Sequence, residues 1–214
     1  MIYDNDYEGG ISMKEVIMDE LLNIKTQLAD DWKLGSDPHY NRNEPTPYHV
    51  LTSIVNEYQP KVGGELVDFG CGRGRAMIFL AHHWRVKVTG VEFNDQLITP
   101  LKKNITHYIS DYPEDSELFE VAFIPAEYYS ITNQQSAFYF FNPFSIEIFK
   151  TIIWNILASY DEYPREIDLI LYYAYPEFIQ FLNQNTAFEL ELSVKLCNQE
   201  INPREKWRVY RLRG

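Results

Sequence analysis

Cysteine is almost absent from this chain, whose 214 residues include only Cys71 and Cys197. Two cysteines are too few for a disulfide framework or a cysteine-based zinc site. Long apolar runs are also missing, and none approaches the ~20 residues of a membrane-spanning helix. Residues 1–10 lack the basic and apolar regions of a secretion signal. We therefore predict a protein of the reducing cytoplasm that does not enter the membrane.

Positive charge is scarce as well. Lys and Arg number 19 against 31 Asp and Glu, which gives a net charge of −12. A protein that neutralises phosphates gathers its cations on one face, so this balance disfavours nucleic acid as a partner and leaves a small molecule or a protein. The exception is the C-terminus, which carries Arg204, Lys206, Arg208, Arg211 and Arg213. We interpret it as an exposed edge strand defended by charge, with Arg211 and Arg213 on one side.

The residues that are abundant are typical of a globular α/β protein. Hydrophobic residues make up 45% of the chain and aromatic residues 15%, enough for a continuous core. From residue 64, apolar strands alternate with helical patterns, and strands are predicted at 65–69, 86–92, 119–124, 137–141, 167–173, 188–196 and 207–212. This order predicts a Rossmann-like, doubly wound, mostly parallel seven-stranded sheet that ends in an antiparallel hairpin.

The residues before position 64 do not show this alternation of strands and helices. We expect a loose tail over residues 1–10 and an amphipathic helix over 12–32. A second helix is predicted to about Tyr58, with Thr46 as its hydroxyl cap and Pro47 in its first turn. We therefore divide the chain into an N-terminal tail with helices at 1–60 and a ligand-binding domain at 61–214. The N-terminal helices would pack on that domain or cover its ligand.

A glycine-rich turn follows the first predicted strand, in the run Asp68-Phe-Gly-Cys-Gly-Arg-Gly-Arg75. Its three glycines allow the backbone to turn sharply and approach a ligand without a Cβ in between. The helix that follows offers unpaired N–H groups to a carboxylate or phosphate. Glu92 ends the next predicted strand, where an acid can accept both hydroxyls of a ribose.

Two residues distinguish this turn from a dinucleotide-binding turn. The sixth position of a dinucleotide fingerprint is small, but here it is Arg75. Asp68 ends the strand with a carboxylate, which suits a ligand that carries an ammonium group. A nicotinamide-dependent (NAD(P)) oxidoreductase remains an alternative on this evidence.

The run that begins at Asp68 resembles the first motif of class I S-adenosylmethionine (SAM)-dependent methyltransferases, and Gly90-Val-Glu-Phe-Asn94 resembles their second. The resemblance covers roughly residues 45–175. It implies SAM as the cofactor, with Asp68 near its amino group and Glu92 on its ribose. The implied cofactor-binding residues are Thr46, Asp68, Gly70, Cys71, Gly72, Gly74, Glu92, Phe93, Asn94 and Glu127.

Two of these positions carry alternatives. Many relatives have an acid after the third strand that meets the adenine amino group, and here it is either displaced to Glu127 or absent. A Pro-Thr segment precedes the cofactor domain in some relatives, so Thr46 or Tyr48 would close the pocket. Capping of a helix explains Thr46 equally well.

The fourth predicted strand ends in Asn142-Pro143-Phe144, which resembles the motif of methyltransferases that act on amino nitrogens but lacks one proline. The Asn142 side-chain oxygen and the Pro143 carbonyl would accept the two N–H bonds of an amine, and Phe144 would flank it. Catalysis would then consist mainly of positioning the amine for in-line attack. The alternative is that Asn142 caps the strand and the next two residues form a rigid turn.

We predict a SAM-dependent methyltransferase that acts on an amino nitrogen of an unidentified small-molecule or protein acceptor. A non-catalytic SAM-binding protein remains a second alternative. We predict no metal site, because the adjacent His82 and His83 lie on different faces of a helix. The identity of the acceptor and the oligomeric state stay open.

Overall fold

The computed structural model describes residues 7–8, 11–27, 44–196 and 202–214. The strands are β1 (Tyr7–Glu8), β2 (Ile11–Ser12), β3 (Glu65–Phe69), β4 (Val88–Glu92), β5 (Phe119–Phe123), β6 (Gln135–Phe141), β7 (Ile167–Tyr172), β8 (Glu189–Lys195) and β9 (Lys206–Leu212). The helices are α1 (Met13–Leu21), α2 (Tyr48–Glu57), α3 (Arg75–Trp84), α4 (Asp95–Asp111), α5 (Ile146–Glu162) and α6 (Pro176–Asn185), with short 3-10 helices at Pro113–Leu118 and Ala126–Tyr128.

Seven of the strands form one sheet in the order β5-β4-β3-β6-β7-β9-β8. The first five are mutually parallel, β9 is antiparallel to β7, and β8 is antiparallel to β9. This arrangement confirms the predicted doubly wound sheet with its C-terminal hairpin. The strand order reverses between β3 and β6, and ligands of such sheets bind at the carboxyl ends of the strands near that point.

The sheet carries a hydrophobic core on each face. Consecutive residues of β3 alternate between the two cores, so Leu66 packs with helices α2, α3 and α4 while Val67 packs with α5 and α6. Helix α2 is part of the first core, where the indole Nε1 of Trp207 donates a 3.0 Å hydrogen bond to the Val50 carbonyl. The division of the chain at residue 60 stays a prediction, and across it α2 packs directly on the sheet.

Local structure in the N-terminal segment differs from the prediction in three ways. Tyr7–Glu8 pairs antiparallel with Ile11–Ser12 where a loose tail was expected. Helix α1 ends at Leu21, and residues 28–32 of the predicted helix lie outside the described residues. Thr46 does not cap α2, because Pro47 occupies the N-cap and the Thr46 hydroxyl instead lies 2.6 Å from the Tyr139 hydroxyl.

The interpretation of the basic C-terminus as an edge strand is wrong. Strand β9 lies between β7 and β8, so β8 forms this edge of the sheet. Arg211 binds Asp168 through two hydrogen bonds of 2.8 Å, and Arg213 pairs with Glu189 and Glu191. The two arginines do share a face, as predicted, and on that face they neutralise acids of neighbouring strands.

Among the residues that the structure describes, no helix is long and apolar enough to cross a membrane. Cys71 is a buried free cysteine. Cys197 lies outside the described residues.

Candidate functional site

A cleft of about 900 Å³, its open mouth included, lies where the strand order reverses. Its wall consists of the carboxyl ends of β3, β4 and β6, the turn after β3 with the first residues of α3, the first turn of α4, and the residues after β5. Thr26 and residues 44–46 in front of α2 complete it. Most of the predicted site residues lie in this wall: Thr46, Asp68, Gly70, Cys71, Glu92, Phe93, Asn94, Pro143 and Phe144. Gly72, Gly74, Glu127 and Asn142 are not part of it.

The glycine turn needs its glycines for two physical reasons. Gly70, Gly72 and Gly74 have φ angles of 74°, 57° and 89°, in the left-handed region that side chains disfavour. A Cβ on Gly70 would lie 2.8 Å from the Pro143 Cβ, so this glycine also permits the close approach of β3 to the residues after β6. Gly72 and Gly74 shape the turn from behind the wall, and Gly74 is the N-cap of α3.

The Glu92 carboxylate is fixed by the backbone around it. It accepts hydrogen bonds from the backbone N–H groups of Gly72, Phe93 and Asn94 at 2.9 to 3.0 Å. Burial raises the pKa of Glu92, while these three N–H groups act in the opposite direction. A carboxylate has about four lone-pair sites, so Glu92 can still accept hydrogen bonds from a ligand in the cleft.

Asp68 has a buried carboxylate whose Oδ2 has no hydrogen-bond partner among the described residues. Burial and then the nearby Glu92 raise its pKa to about 8, against a backbone hydrogen bond from Met77. A buried carboxylate without a partner is costly, and a cationic ligand group would offset that cost. This corner of the cleft therefore holds a carboxyl group that a cationic ligand group can pair with.

Cys71 contributes bulk to the turn rather than reactivity. Burial, Asp68 and Glu92 raise the pKa of its thiol, so it stays protonated. Its Sγ fills the space above Gly90, where a Cβ would lie 2.7 Å away. The described residues contain no group of three or more His, Cys, Asp or Glu side chains that could hold a metal ion.

Tyr139 is a residue of the wall that the sequence did not reveal. It is the cross-strand neighbour of Asp68, and its hydroxyl meets that of Thr46 inside the cleft. The pair connects the floor of the cleft to the segment in front of α2, so Thr46 lies at the cleft although it caps no helix. Finding Tyr139 from sequence would have required the register between β3 and β6.

Arg75, the residue that distinguishes the glycine turn from a dinucleotide-binding turn, also contacts several residues of the N-terminal segment. It is 3% exposed, pairs with Glu15 and Asp19, and donates a 2.6 Å hydrogen bond to the Thr26 hydroxyl. Its guanidinium also lies 4.5 Å from the centroid of the Tyr48 ring. A buried arginine requires acidic partners, and this requirement was the available signal for the contact.

The remaining predicted residues lie behind or beside the wall. Glu127 is in the 3-10 helix after β5, where Ile124 and Ala126 line the cleft instead. Asn142 has a φ angle of 44° and lies between the wall residues Phe141 and Pro143. A left-handed residue between a strand and the ligand-facing turn marks a position under functional or steric constraint.

No protein-family model and no curated protein sequence matches this chain. Its fold is nevertheless shared with solved methyltransferases. The human methyltransferase 10 domain containing protein superposes with a TM-score of 0.59 at 14% identity, over 93% of both chains. An RNA methyltransferase from Salinibacter ruber, solved with S-adenosyl-L-homocysteine, gives 0.54 at 16% identity over 78% of this chain and 92% of that one. The 23S rRNA methyltransferase ErmE gives 0.50 at 17% identity over 80% and 69%. These likenesses confirm the fold that the resemblance implied.

The comparison corrects one expectation. Nucleic acid was disfavoured as a partner, with a small molecule or a protein preferred, because the net charge is −12. Two of the solved proteins with this fold are named as RNA methyltransferases, so the fold accommodates nucleic acid as well. Net charge was the wrong criterion, because binding depends on the local arrangement of cations.

Proposed function

We propose that this chain is a SAM-dependent methyltransferase that acts on an amino nitrogen. The observation that carries the proposal is the unpartnered carboxylate oxygen of Asp68 in the wall of the cleft. A phosphate-binding turn would be weakened by a buried acid at this place, whereas the ammonium group of SAM would pair with it.

The other residues of the turn also suit SAM. The positive end of the α3 dipole would attract its carboxylate. Glu92 retains acceptor capacity for the two hydroxyls of its ribose, and Leu97, Ile124 and Ala126 offer apolar surface for a base. A structure with this fold was solved with S-adenosyl-L-homocysteine, the demethylated product of the cofactor.

The acceptor side of the cleft would be formed by Pro143 and Phe144, which line it, and by Asn142, which lies next to Pro143 behind the wall. When bound, SAM supplies an electrophilic methyl group on a sulfonium sulfur. The Asn142 side-chain oxygen and the Pro143 carbonyl would accept hydrogen bonds from an amine and so direct its lone pair. Phe144, which is 2% exposed, would wall the site against water. We also propose a cytoplasmic location, from the low cysteine content alone.

Titration calorimetry of the full chain tests the cofactor directly. We expect S-adenosyl-L-homocysteine and SAM to bind and NAD⁺ to give no heat. Absence of binding by both nucleosides at millimolar concentration would end the proposal, and binding of NAD⁺ in their place would establish the oxidoreductase alternative. Binding without transfer of a labelled methyl group to any fraction of a cell extract would favour the non-catalytic alternative.

A further inference from the structure

The cations on the two faces of β9 differ in whether they have carboxylate partners. Arg211 and Arg213 pair with carboxylates on one face. Lys206 and Arg208 alternate with them and point to the other face. Within the described part of the chain, neither has a carboxylate within 4 Å, whereas Arg211 and Arg213 each have at least two.

These unpaired cations belong to a larger group. Lys195 is the cross-strand partner of Lys206, and Arg204 lies in the turn that leads into β9. Burial lowers the pKa of Lys206, and the positive charges of Arg208 and Lys195 lower it further. We call Lys195, Arg204, Lys206 and Arg208 the cationic rim.

Two guanidinium groups of the rim have donors that no described residue uses. Arg204 Nε and Arg208 Nη1 are buried without a hydrogen-bond partner in the described part of the chain. Glu205, which lies between them, is already engaged by the Tyr172 hydroxyl at 3.2 Å. Among the described residues, the rim thus has guanidinium donors that no acceptor of the protein engages, on a protein whose overall charge is negative.

Aromatic rings connect the rim to the cleft. The Arg204 guanidinium lies 4.0 Å from the ring centroids of both Tyr173 and Tyr175. Tyr173 in turn lies 6.5 Å from Phe141, which lines the cleft, and Tyr172 lies 4.8 Å from Phe141. Tyr173 has a φ angle of 55°, an unusual conformation for a bulky residue and a sign of local constraint.

Unused guanidinium donors, lysines and tyrosine rings that lead into a cleft suit one kind of ligand. Guanidinium groups bind phosphate oxygens, and aromatic rings stack on bases of any sequence. We propose that the cationic rim binds the sugar–phosphate backbone of a single-stranded nucleic acid, and that the aromatic path from Tyr175 to Phe141 brings one of its bases to the cleft. This inference rests on the proposed function, because it names the acceptor of the same site.

Fluorescence anisotropy of the full chain with a labelled single-stranded 20-nucleotide RNA tests the rim. In K206A/R208A we expect about tenfold weaker binding and a log K against log salt slope that is shallower by roughly 1 to 2. The matched control is K102A/K103A, which removes two exposed lysines of α4, a helix that packs at the opposite edge of the sheet. We expect less than a twofold change in that control.

A second variant tests the stacking component. In Y175A we expect at least fivefold weaker binding of the RNA and a smaller loss for a heparin oligosaccharide, because only the RNA has bases, whereas both ligands use the Arg204 guanidinium that lies on the Tyr175 ring. Circular dichroism and thermal melting would confirm that each variant is folded.

Four results would overturn the proposal: no binding of the RNA by the unmodified chain, equal losses in the two double variants, equal losses for RNA and heparin in Y175A, or tighter binding of a duplex than of the single strand. Calorimetry with S-adenosyl-L-homocysteine on the same samples separates the two proposals. If the RNA experiment fails while the nucleoside still binds, only the proposal for the cationic rim is refuted. If the nucleoside does not bind, the proposed function is refuted.

Discussion

The two ends of the cleft differ in the kinds of residue that form them. The proposed cofactor end consists of two buried acids, Asp68 and Glu92, and the backbone of a glycine turn that lies between them in sequence. The proposed acceptor end has Phe141 in the wall of the cleft. Outside the wall, the ring of Tyr173 lies beside Phe141 and the Arg204 guanidinium lies on the Tyr173 ring. The first end is acidic and local in sequence, and the second is aromatic and cationic and is assembled from residues far apart in the chain.

This difference suggests a division of labour. A backbone cradle with fixed acids suits a ligand that is the same in every turnover. Side chains from several segments suit a partner that varies between proteins of the same fold, because each can be replaced without disturbing the sheet. Substitutions at the two ends should therefore separate binding of the cofactor from transfer to the acceptor.

The largest expected effect is at the acceptor end. In N142A we expect transfer of a labelled methyl group to fall about 1000-fold, because removal of one group that directs the reacting atom costs roughly 10² to 10³ in rate. Affinity for S-adenosyl-L-homocysteine should change less than about twofold, since Asn142 is not one of the residues that line the proposed cofactor site. The measurements are scintillation counting of extract fractions and calorimetry.

Because Asn142 has a φ angle of 44°, N142G serves as the control that relieves the backbone while also removing the side chain. Equal losses in N142A and N142G attribute the effect to the side chain. Full activity in N142G would assign Asn142 a purely conformational role and remove the proposed hydrogen bond to the amine.

The next effect is at the cofactor end. In D68N we expect affinity for S-adenosyl-L-homocysteine to fall about 100-fold, because the ammonium group would lose a buried carboxylate partner. D95N is the matched control, since Asp95 is an exposed carboxylate in the first turn of α4. Calorimetry at pH 8 measures both, and equal affinities in D68N and the unmodified chain would contradict the assignment of the ammonium site.

A smaller effect tests the contact between the two ends. Gly70 and Gly63 have similar φ angles of 74° and 81°, but a Cβ would meet Pro143 at Gly70 and nothing within 4 Å at Gly63. Replacement of either glycine by alanine costs about 1 kcal/mol in backbone conformation. The clash should add about 2 kcal/mol in G70A. Urea unfolding measures the free energy of unfolding of both variants. Equal decreases in G70A and G63A would show that Pro143 moves aside without a loss of stability.

The parts of the fold that sequence could predict are those set by neighbouring residues. The boundaries of β3 were correct because its apolar run ends at a glycine turn, and the turn itself is a local motif. The cap of α4 is another local feature, in which the Asn94 side chain accepts a hydrogen bond from the Gln96 N–H two residues later. Such features depend on residues a few positions apart and need no knowledge of the sheet.

The features that sequence missed depend on partners far along the chain. Thr46 bonds to Tyr139 and not to its own helix, and Arg75 binds Glu15, which lies 60 residues away. The internal position of β9 follows from the return of the chain between β7 and β8, which a pattern of alternating residues cannot show. Charges were misread for the same reason, because a net charge says nothing about which face a cation occupies.

The smallest expected effect concerns pH and belongs to the cofactor end alone. Asp68 has a pKa of about 8 in the folded protein against 3.8 in an unfolded chain, so between these values the folded state binds more protons than the unfolded state. The free energy of unfolding therefore falls as pH rises through this window, by about 1 kcal/mol between pH 6 and pH 7 from this group. Affinity for the nucleoside should rise in the same window, because its ammonium group prefers the ionised carboxylate.

Urea unfolding of the unmodified chain and of D68N at pH 5, 6, 7 and 8 isolates the contribution of Asp68 to the free energy of unfolding, because the other titrating groups are common to both. We expect D68N to be increasingly the more stable of the two as pH rises, although it binds the nucleoside more weakly. Parallel pH profiles would mean that Asp68 is already ionised at pH 5, and the buried acid would then be compensated within the protein itself. A stability cost at this position is what a carboxylate held ready for a cationic ligand requires.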